Sequence, residues 1–525
     1  MFQKLFCPIH ASHGFYAVIW GTIAGIALAV FSEHGFATQS VWCVISVVII
    51  ICCFKFTSKF TTAIVFLAAV ILGNFCASRS LPDQALLQSF YDQTVIISGK
   101  ISEDPDDSQS TTVLRLQDLD IHNNLLDIPK NTLQPIASEI VQNPSNTTER
   151  QNEFTALPGT LYVTISSKTP LERSDVVWLE GKFSEGFGTF AGKMSRPKLL
   201  HLERTESGDV FARFKRWFAN LVKQFIPSPE VDLGLSYLMG MKSGLSTDFS
   251  EALRAVGMTH VVVASGAHLA ILTGAAKKLF GRISKFAGML FSLLMVGGFV
   301  LIVGFTPSMV RAALVASLSL LFGYIGRKFA PIRLIGLVAS LTLLTNPTNL
   351  LNLGWQLSFA SFFGILILAP ILTKIFYGQK KSPWLATMLI TSLATCFVCA
   401  PILVYNFGSI SFLSFIANLV ILPTLPYVML GILLTGVTSF APVIASVTAK
   451  CTILLLDLHI WLVEFLAEKT MFIIELPSGD PRIFLLYLPI FALIVLSQRQ
   501  RKAHTNNQQK SAPHLSKHPE EQSVT

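Results

Sequence analysis

Between Gly257 and Leu272 the chain reads Gly-Met-Thr-His-Val-Val-Val-Ala-Ser-Gly-Ala-His-Leu-Ala-Ile-Leu. The stretch is apolar enough for lipid, yet it carries Thr259, His260, Ser265, Gly266 and His268. A polar group in hydrocarbon is costly unless it meets a partner or water, so these side chains are expected to face the interior of a helix bundle. On one helix His260 and His268 would lie within about 80° of each other. Ser265-Gly266 between them is small enough to admit another backbone or to let the helix break. Two chemistries compete. The histidines and the serine could serve a membrane-embedded hydrolase or transferase, or the set could hydrogen-bond across helices and shape a polar path. No carboxylate is placed in the same stretch to orient a histidine, which weighs against a triad, and we assign no catalytic residue.

Other polar residues sit at the openings of later apolar runs. Ser308 and Arg311 open one, Trp355, Gln356 and Ser358 open another, and Asn418 lies about two turns into a third. An intramembrane arginine needs a partner or a water-filled cavity, and it pairs readily with phosphate. A polar, partly cationic vestibule is the physical expectation. Cys396-Phe-Val-Cys399 has the CxxC spacing, but inside an apolar run it reads as small hydrophobic packing. No metal site, no cofactor and no GxxxxGK[ST] phosphate loop is read anywhere.

The elements that must position these residues follow from composition. Charged residues make up 14% of the 525, which points to a polytopic membrane protein with room for a modest extramembrane domain. The net charge of +9 conceals a split: residues 78–210 carry −7 and the remainder +16. Apolar runs at 15–31, 41–54 and 61–77 are each just long enough to span. From 78 to 210 the pattern changes to alternation with turn signals. Candidate strands are Thr94–Ile101, Thr112–Ile121, Gly159–Ile165, Val176–Phe183 and Lys198–Leu202. Five short strands without a long helix suggest a small OB-like barrel. Lys130–Thr155, rich in Asn, Thr, Pro and Gln, reads as a long insertion.

Residues 211–229 open with Phe-Ala-Arg-Phe-Lys-Arg-Trp-Phe. Phe214, Phe218 and Leu221 recur at helical spacing beside Trp217, with basic residues between, so a basic amphipathic helix in the membrane interface is expected. The rest, 230–498, holds about nine further spans, near 258–276, 286–304, 308–326, 334–346, 355–373, 384–404, 411–436, 442–464 and 483–498. Lys/Arg groups at 277–285, 327–333, 374–381 and 499–502 all fall on one side, cytoplasmic by the positive-inside rule. Both termini are then cytoplasmic and 78–210 extracytoplasmic, with about twelve spans in all. Residues 499–525 read as a disordered cytoplasmic tail.

Several pieces occur in one order: Gly257-Met-Thr-His260, Ser265-Gly266-Ala-His268, Pro307-Ser-Met-Val-Arg311, Gly354-Trp-Gln356-Leu-Ser358, and Asn406-Phe-Gly408 ahead of Ala417-Asn418. Together they resemble the competence domain of ComEC-type DNA-uptake proteins, and the N-terminal spans with their β-rich domain are similar to that family as well. The resemblance implies a cytoplasmic-membrane channel that imports one DNA strand during transformation. His260, Ser265, Gly266, His268, Ser308, Arg311, Trp355, Gln356, Ser358 and Asn418 would line or shape its path. It also implies partners: single-stranded DNA, the lipid bilayer, an extracytoplasmic DNA receptor, a cytoplasmic motor or single-strand-binding proteins, and a separate nuclease. Many members end in a metallo-β-lactamase-like domain with an HxHxDH run; this sequence carries no such run, so a nuclease is not expected here. The acidic balance of 78–210 argues against strong phosphate binding by that domain as a whole. A small-solute transporter is the remaining alternative, and it would want a repeat symmetry that the sequence does not display.

Overall fold

The computed structural model describes residues 12–31, 59–80, 84–103, 105–107, 111–122, 155–157, 159–166, 171, 173–186, 190–204, 210–241, 244–262, 265–326, 330–378, 380–411, 413–469, 473–490, 492–494 and 496. The expected span at 41–54, nearly all of the insertion at 130–155 and the tail at 499–525 lie outside them. The chain divides into two units, residues 1–359 with 411–472, and residues 360–410 with 473–525.

The first unit begins with helices α1 (Ser12–Phe31) and α2 (Lys59–Ser80). They pack as a close pair because Gly21, Gly25 and Gly73 present no side chain at the contact, so each backbone rests on the other helix. A short helix, α3 (Gln84–Phe90), leads into the barrel.

The barrel strands are β1 (Thr94–Ile101), β2 (Thr112–His122), β3 (Thr160–Ile165), β4 (Val176–Glu185), β5 (Phe190–Ser195) and β6 (Lys198–Glu203). β1 pairs with β2, β2 with β3, β3 with β5, β5 with β4, and β4 returns to β1. The ring is closed, and all its pairings are antiparallel except the parallel β3–β5 step. This is a five-stranded, OB-like barrel. β6 lies off the ring and, among the described residues, pairs with β4 alone. Alternation drives closure: β3 reads half-buried, buried, half-buried, buried along Thr160–Ile165, with Leu161, Val163 and Ile165 inward. The interior is filled by Ile97, Leu114, Leu116, Leu161, Leu179, Phe183 and Met194. Gly192 on β5 is required there, since the Phe183 ring fills the space its Cβ would occupy. Tyr91, after α3, stacks on Phe183 at 5.6 Å and donates its hydroxyl to Ala191 O at 3.2 Å, closing one end.

All five expected strands are present, but the ring does not consist of those five. β5, which closes it, has only six residues and a glycine, so its alternation is short and broken. The expected Lys198–Leu202 is instead the appended strand β6.

Helices α4 (Val210–Lys223), α5 (Glu230–Met239) and α6 (Thr247–Val256) follow, then a single turn at Thr259–Val262, α7 (Gly266–Phe280), α8 (Lys285–Val303), α9 (Pro307–Tyr324) and α10 (Pro331–Thr345). Each start has a local cause. Ser246, Ser284 and Thr306 accept the N–H groups of Phe249, Ala287 and Met309, the usual side-chain caps, and Pro307 occupies the first helical position of α9, where its missing N–H costs nothing. Next come α11 (Leu353–Phe363), which continues through a π-helical turn at Gly364–Leu368 and on to Tyr377, then α12 (Trp384–Phe407), α13 (Leu413–Val437) and α14 (Pro442–Ala467).

Six helices among the described residues are long and apolar enough to cross a membrane: Lys285–Val303, Pro307–Tyr324, Leu353–Tyr377, Trp384–Phe407, Leu413–Val437 and Pro442–Ala467. The chain is a polytopic helical membrane protein bearing a small barrel. Shorter apolar helices lie at Phe15–Val30, Ile64–Ser78 and Pro331–Thr345. The run expected at 258–276 is not one helix; it breaks ahead of Gly266. The core of the first unit's bundle runs from Phe218 and Val222 through Leu235 and Tyr237 to Met429, Ile432, Leu456 and Val463.

In the second unit the π turn lets α12 approach Gly364, whose Cβ would stand 2.9 Å from Thr395 Cα. Leu368, Ala369, Ile390, Ala394 and Val398 form its core. Cys399 is buried 3.4 Å from the Ser361 hydroxyl, and Cys396 and Cys399 are both free thiols.

Candidate functional site

The break ahead of α7 is built by the residues that make the Gly257–Leu272 stretch polar. Ser265 is extended (φ −130°, ψ 174°) and caps the helix. Its N–H donates to Nδ1 of His268 at 3.1 Å, and its hydroxyl stands 3.0 Å from the same nitrogen. His268 therefore does at the third helical position what Glu or Gln does in a capping box. A backbone N–H can only donate, so Nδ1 is the unprotonated nitrogen and the neutral ring carries its proton on Nε2. His268 is 0% exposed, and among the described residues Nε2 meets no hydrogen-bond partner.

Gly266 faces α9. A Cβ there would stand at an ordinary 3.5 Å from Ala312 Cβ, and Leu269, Met309 and Ala312 join one apolar core. This contact sets the Ser265–His268 cap beside the helix that carries Arg311.

Arg311 is 2% exposed, one turn into α9. Its Nη2 donates to Ser308 O at 3.3 Å, and the guanidinium lies 5.2 Å over the Phe359 ring. A cation over an aromatic face is attracted by the ring quadrupole, more so when water is excluded. Phe359 in turn stands 4.3 Å from Trp355. Trp355 is buried; its Nε1 donates to Thr342 Oγ1 at 3.0 Å and its N–H to Asn352 Oδ1 at 3.0 Å. Ser308 Oγ reaches Gly354 O at 3.5 Å. Gln356 Nε2 donates to Leu350 O at 2.8 Å and so fastens the turn before α11. Ser308, Arg311, Trp355 and Gln356 thus form one connected region where α9, α10 and α11 meet.

The other candidates are placed differently. His260 is exposed on the single turn ahead of the break, with Nδ1 donating to Gly257 O at 3.0 Å. Ser358 and Asn418 are half-buried on α11 and α13. The structure brings Gly266 and His268 near the arginine helix and joins Ser308, Arg311 and Trp355. His260 bonds within its own turn, outside that group.

A second polar group, not singled out from the sequence, lies beside His268. The Tyr237 ring on α5 stands 6.5 Å from the His268 ring and 5.8 Å, edge-on, from His459 on α14. All three are almost wholly buried. His459 Nε2 is 2.7 Å from Thr424 Oγ1. That hydroxyl gives its own hydrogen to Val420 O at 2.6 Å, so it accepts from Nε2–H. His459 could have been found: a histidine amid Leu456, Leu458 and Ile460 in an apolar helix is a signal in itself. Tyr237 and Phe359 carried none.

Helix α4 divides its aromatic stripe between two surroundings. Phe218 is 4% exposed and packs on the backbone at Gly436, with Val222 and Ala219 buried beside it. Phe214 and Trp217 are exposed, Trp217 at 57%, and their rings stand 5.6 Å apart; Leu221 is half-buried. One face of the helix is part of the bundle core and the other is left outward.

The competence protein family model matches residues 237–501. A relative, ComE operon protein 3 of Bacillus subtilis (strain 168), is 25% identical over 232 residues, covering 43% of this chain and 29% of the relative. The aligned part is thus under a third of the relative's length. No solved structure matches. The matched region contains every residue of the Ser265–Arg311–Trp355 neighbourhood and covers half of the chain. The chain belongs to the competence protein family, of the ComEC type.

Proposed function

We propose that the protein is a cytoplasmic-membrane channel that imports single-stranded DNA during transformation, with the barrel outside and both termini inside. The observation that carries this reading is Arg311. A cation nearly removed from solvent in a membrane helix is costly to keep. Its Nη2 donates to Ser308 O at 3.3 Å and its guanidinium lies over the face of Phe359, with the Ser308 hydroxyl nearby. A guanidinium so placed suits transient, bidentate contact with a passing phosphate. A DNA receptor outside, a motor or single-strand-binding protein inside and a separate nuclease would complete the route.

The Ser265–His268 contact is short enough for a nucleophile and its base. However, the same nitrogen already accepts Ser265's own N–H and holds the start of α7, which favours a structural reading of the pair over a hydrolase. The test is entry of dye-labelled single-stranded DNA into proteoliposomes holding the full-length protein. Entry supports the channel. DNA that stays outside while a soluble product forms points to an enzyme.

A further inference from the structure

The barrel and the bundle meet at the end of α8. Gly304 there has φ +111°, and Arg173 from the barrel stands against it, its Nη2 donating to Leu301 O at 3.1 Å. A cation at the last carbonyls of a helix is favourable, so this contact fastens the barrel to the α8–α9 turn. Beside it lies a cavity of about 360 Å³, within the size range of small-ligand sites. Its walls combine two cations, Lys100 and Arg173, with two aromatic rings, Phe211 and Phe305, and one carboxylate, Asp118. Phe305 is largely exposed. The segment from Leu301 at the end of α8 through Phe305 runs directly into Ser308 and Arg311, so the cleft and the buried arginine share one short stretch of chain.

We propose that this cleft holds one or two nucleotides of a single-stranded nucleic acid, Lys100 and Arg173 taking a phosphate and Phe211 and Phe305 stacking a base. The proposal rests on the channel reading and adds to it a loading site between barrel and bundle. Cations with aromatic faces are the chemistry of sequence-tolerant single-strand binding, and Asp118 can accept from a base N–H, such as N3–H of thymine. An anionic lipid headgroup would also want the cations, but it has no use for two rings. The cleft carries two cations against one carboxylate, so the nearest and least screened charges favour a phosphate although the barrel as a whole is acidic.

The full-length protein in neutral-lipid nanodiscs, titrated with a labelled oligothymidylate at about 50 to 200 mM salt, tests this. Lys100→Gln is expected to weaken binding and to reduce the slope of log K against log salt by about 0.7, one phosphate contact on a single strand. Lys100→Arg should restore the slope, and so show that the fold is intact. Phe305→Ala should weaken binding at least about fivefold with the slope unchanged, the mark of a lost stacking partner. Wild-type affinity and slope in both Lys100→Gln and Phe305→Ala overturns the proposal. So does a wild-type chain that ignores the oligonucleotide, or cleft variants that lose only affinity for phosphatidylglycerol-doped nanodiscs. Arg311→Ala separates this from the channel reading. Uptake lost in Arg311→Ala while the cleft variants bind normally removes the loading site and leaves the channel. Normal uptake in Arg311→Ala removes the channel and leaves the cleft to be judged by its own affinities.

Discussion

The interiors of the barrel and of the bundle are built on different terms. The barrel encloses Ile97, Leu114, Leu116, Leu161, Phe183 and Met194, the alternating faces of strands that fold in water. The bundle encloses Leu and Val too, but also Arg311, His268, His459, Ser236, Ser292, Thr435 and Thr452. Hydrophobic burial drives the first. In lipid, burial of apolar side chains between helices gives no such drive, so small residues, close packing and hydrogen bonds between helices carry more of the association. Most of the buried hydroxyls answer to local backbone carbonyls: Thr452 donates to Thr448 O at 2.7 Å and Ser292 to Gly288 O at 2.7 Å. Arg311 and the two histidines are of another kind, because an apolar residue of similar size would pack there at no desolvation cost.

That contrast can be broken most sharply in the barrel. Phe183→Ala empties the volume around Gly192 and Tyr91 and should destabilise the barrel by about 3–5 kcal/mol. Pulse proteolysis of the full chain in nanodiscs should show cleavage within 94–203 at much lower denaturant. Unchanged protection would mean that the barrel is held mainly by its seat on the bundle. Next in size is helix α4, where two aromatic groups should behave oppositely. Phe218→Ala opens a cavity against Gly436 and should lower the amount of folded protein, by the equivalent of about 3 kcal/mol or more. Phe214→Ser with Trp217→Ser removes rings that face outward, so abundance should hold while the affinity of the 210–226 peptide for vesicles falls. Equal loss of abundance in both would place the outward face in a protein contact instead.

Smaller still is His459→Leu. It removes the Nε2–H donated to Thr424 but leaves that hydroxyl bonded to Val420 O. Stability should change by about 1 kcal/mol or less, since interhelical hydrogen bonds in bilayers average near 0.6 kcal/mol. A steric-trapping measurement in bicelles would read it. A loss of several kcal/mol would make His459 a structural pillar and put the buried histidines on the same footing as the barrel core.

Much of this is legible in the sequence. Strand periodicity in 94–122 and 160–185 and the acidic-to-basic shift gave the barrel and the bundle, since period and charge follow directly from which side of a chain meets water. The polar residues of the arginine neighbourhood were visible as exceptions in apolar runs. What stayed hidden is what depends on tertiary partners. Phe359 looks like any lipid-facing phenylalanine until Arg311 is laid across it. Tyr237 lies in a moderately polar helix, and nothing local says that it is buried between two histidines. The role of His268 was read from its type, yet its Nδ1 is committed to starting α7. The six-residue β5 was missed because its glycine, needed for Phe183, interrupts the alternation by which strands are recognised.

Arg311 tests the central claim most directly. Transformation and membrane abundance should be measured on the same cells for the wild type, Arg311→Ala and Arg311→Lys. Alanine removes both the charge and the bidentate fork, and lysine keeps the charge alone. A phosphate-handling role predicts near-wild-type abundance with uptake almost abolished in Arg311→Ala and partly retained in Arg311→Lys. Normal uptake at normal abundance in Arg311→Ala would contradict the account, and reduced abundance with uptake falling only in proportion would make the arginine a brace for α9 and α11.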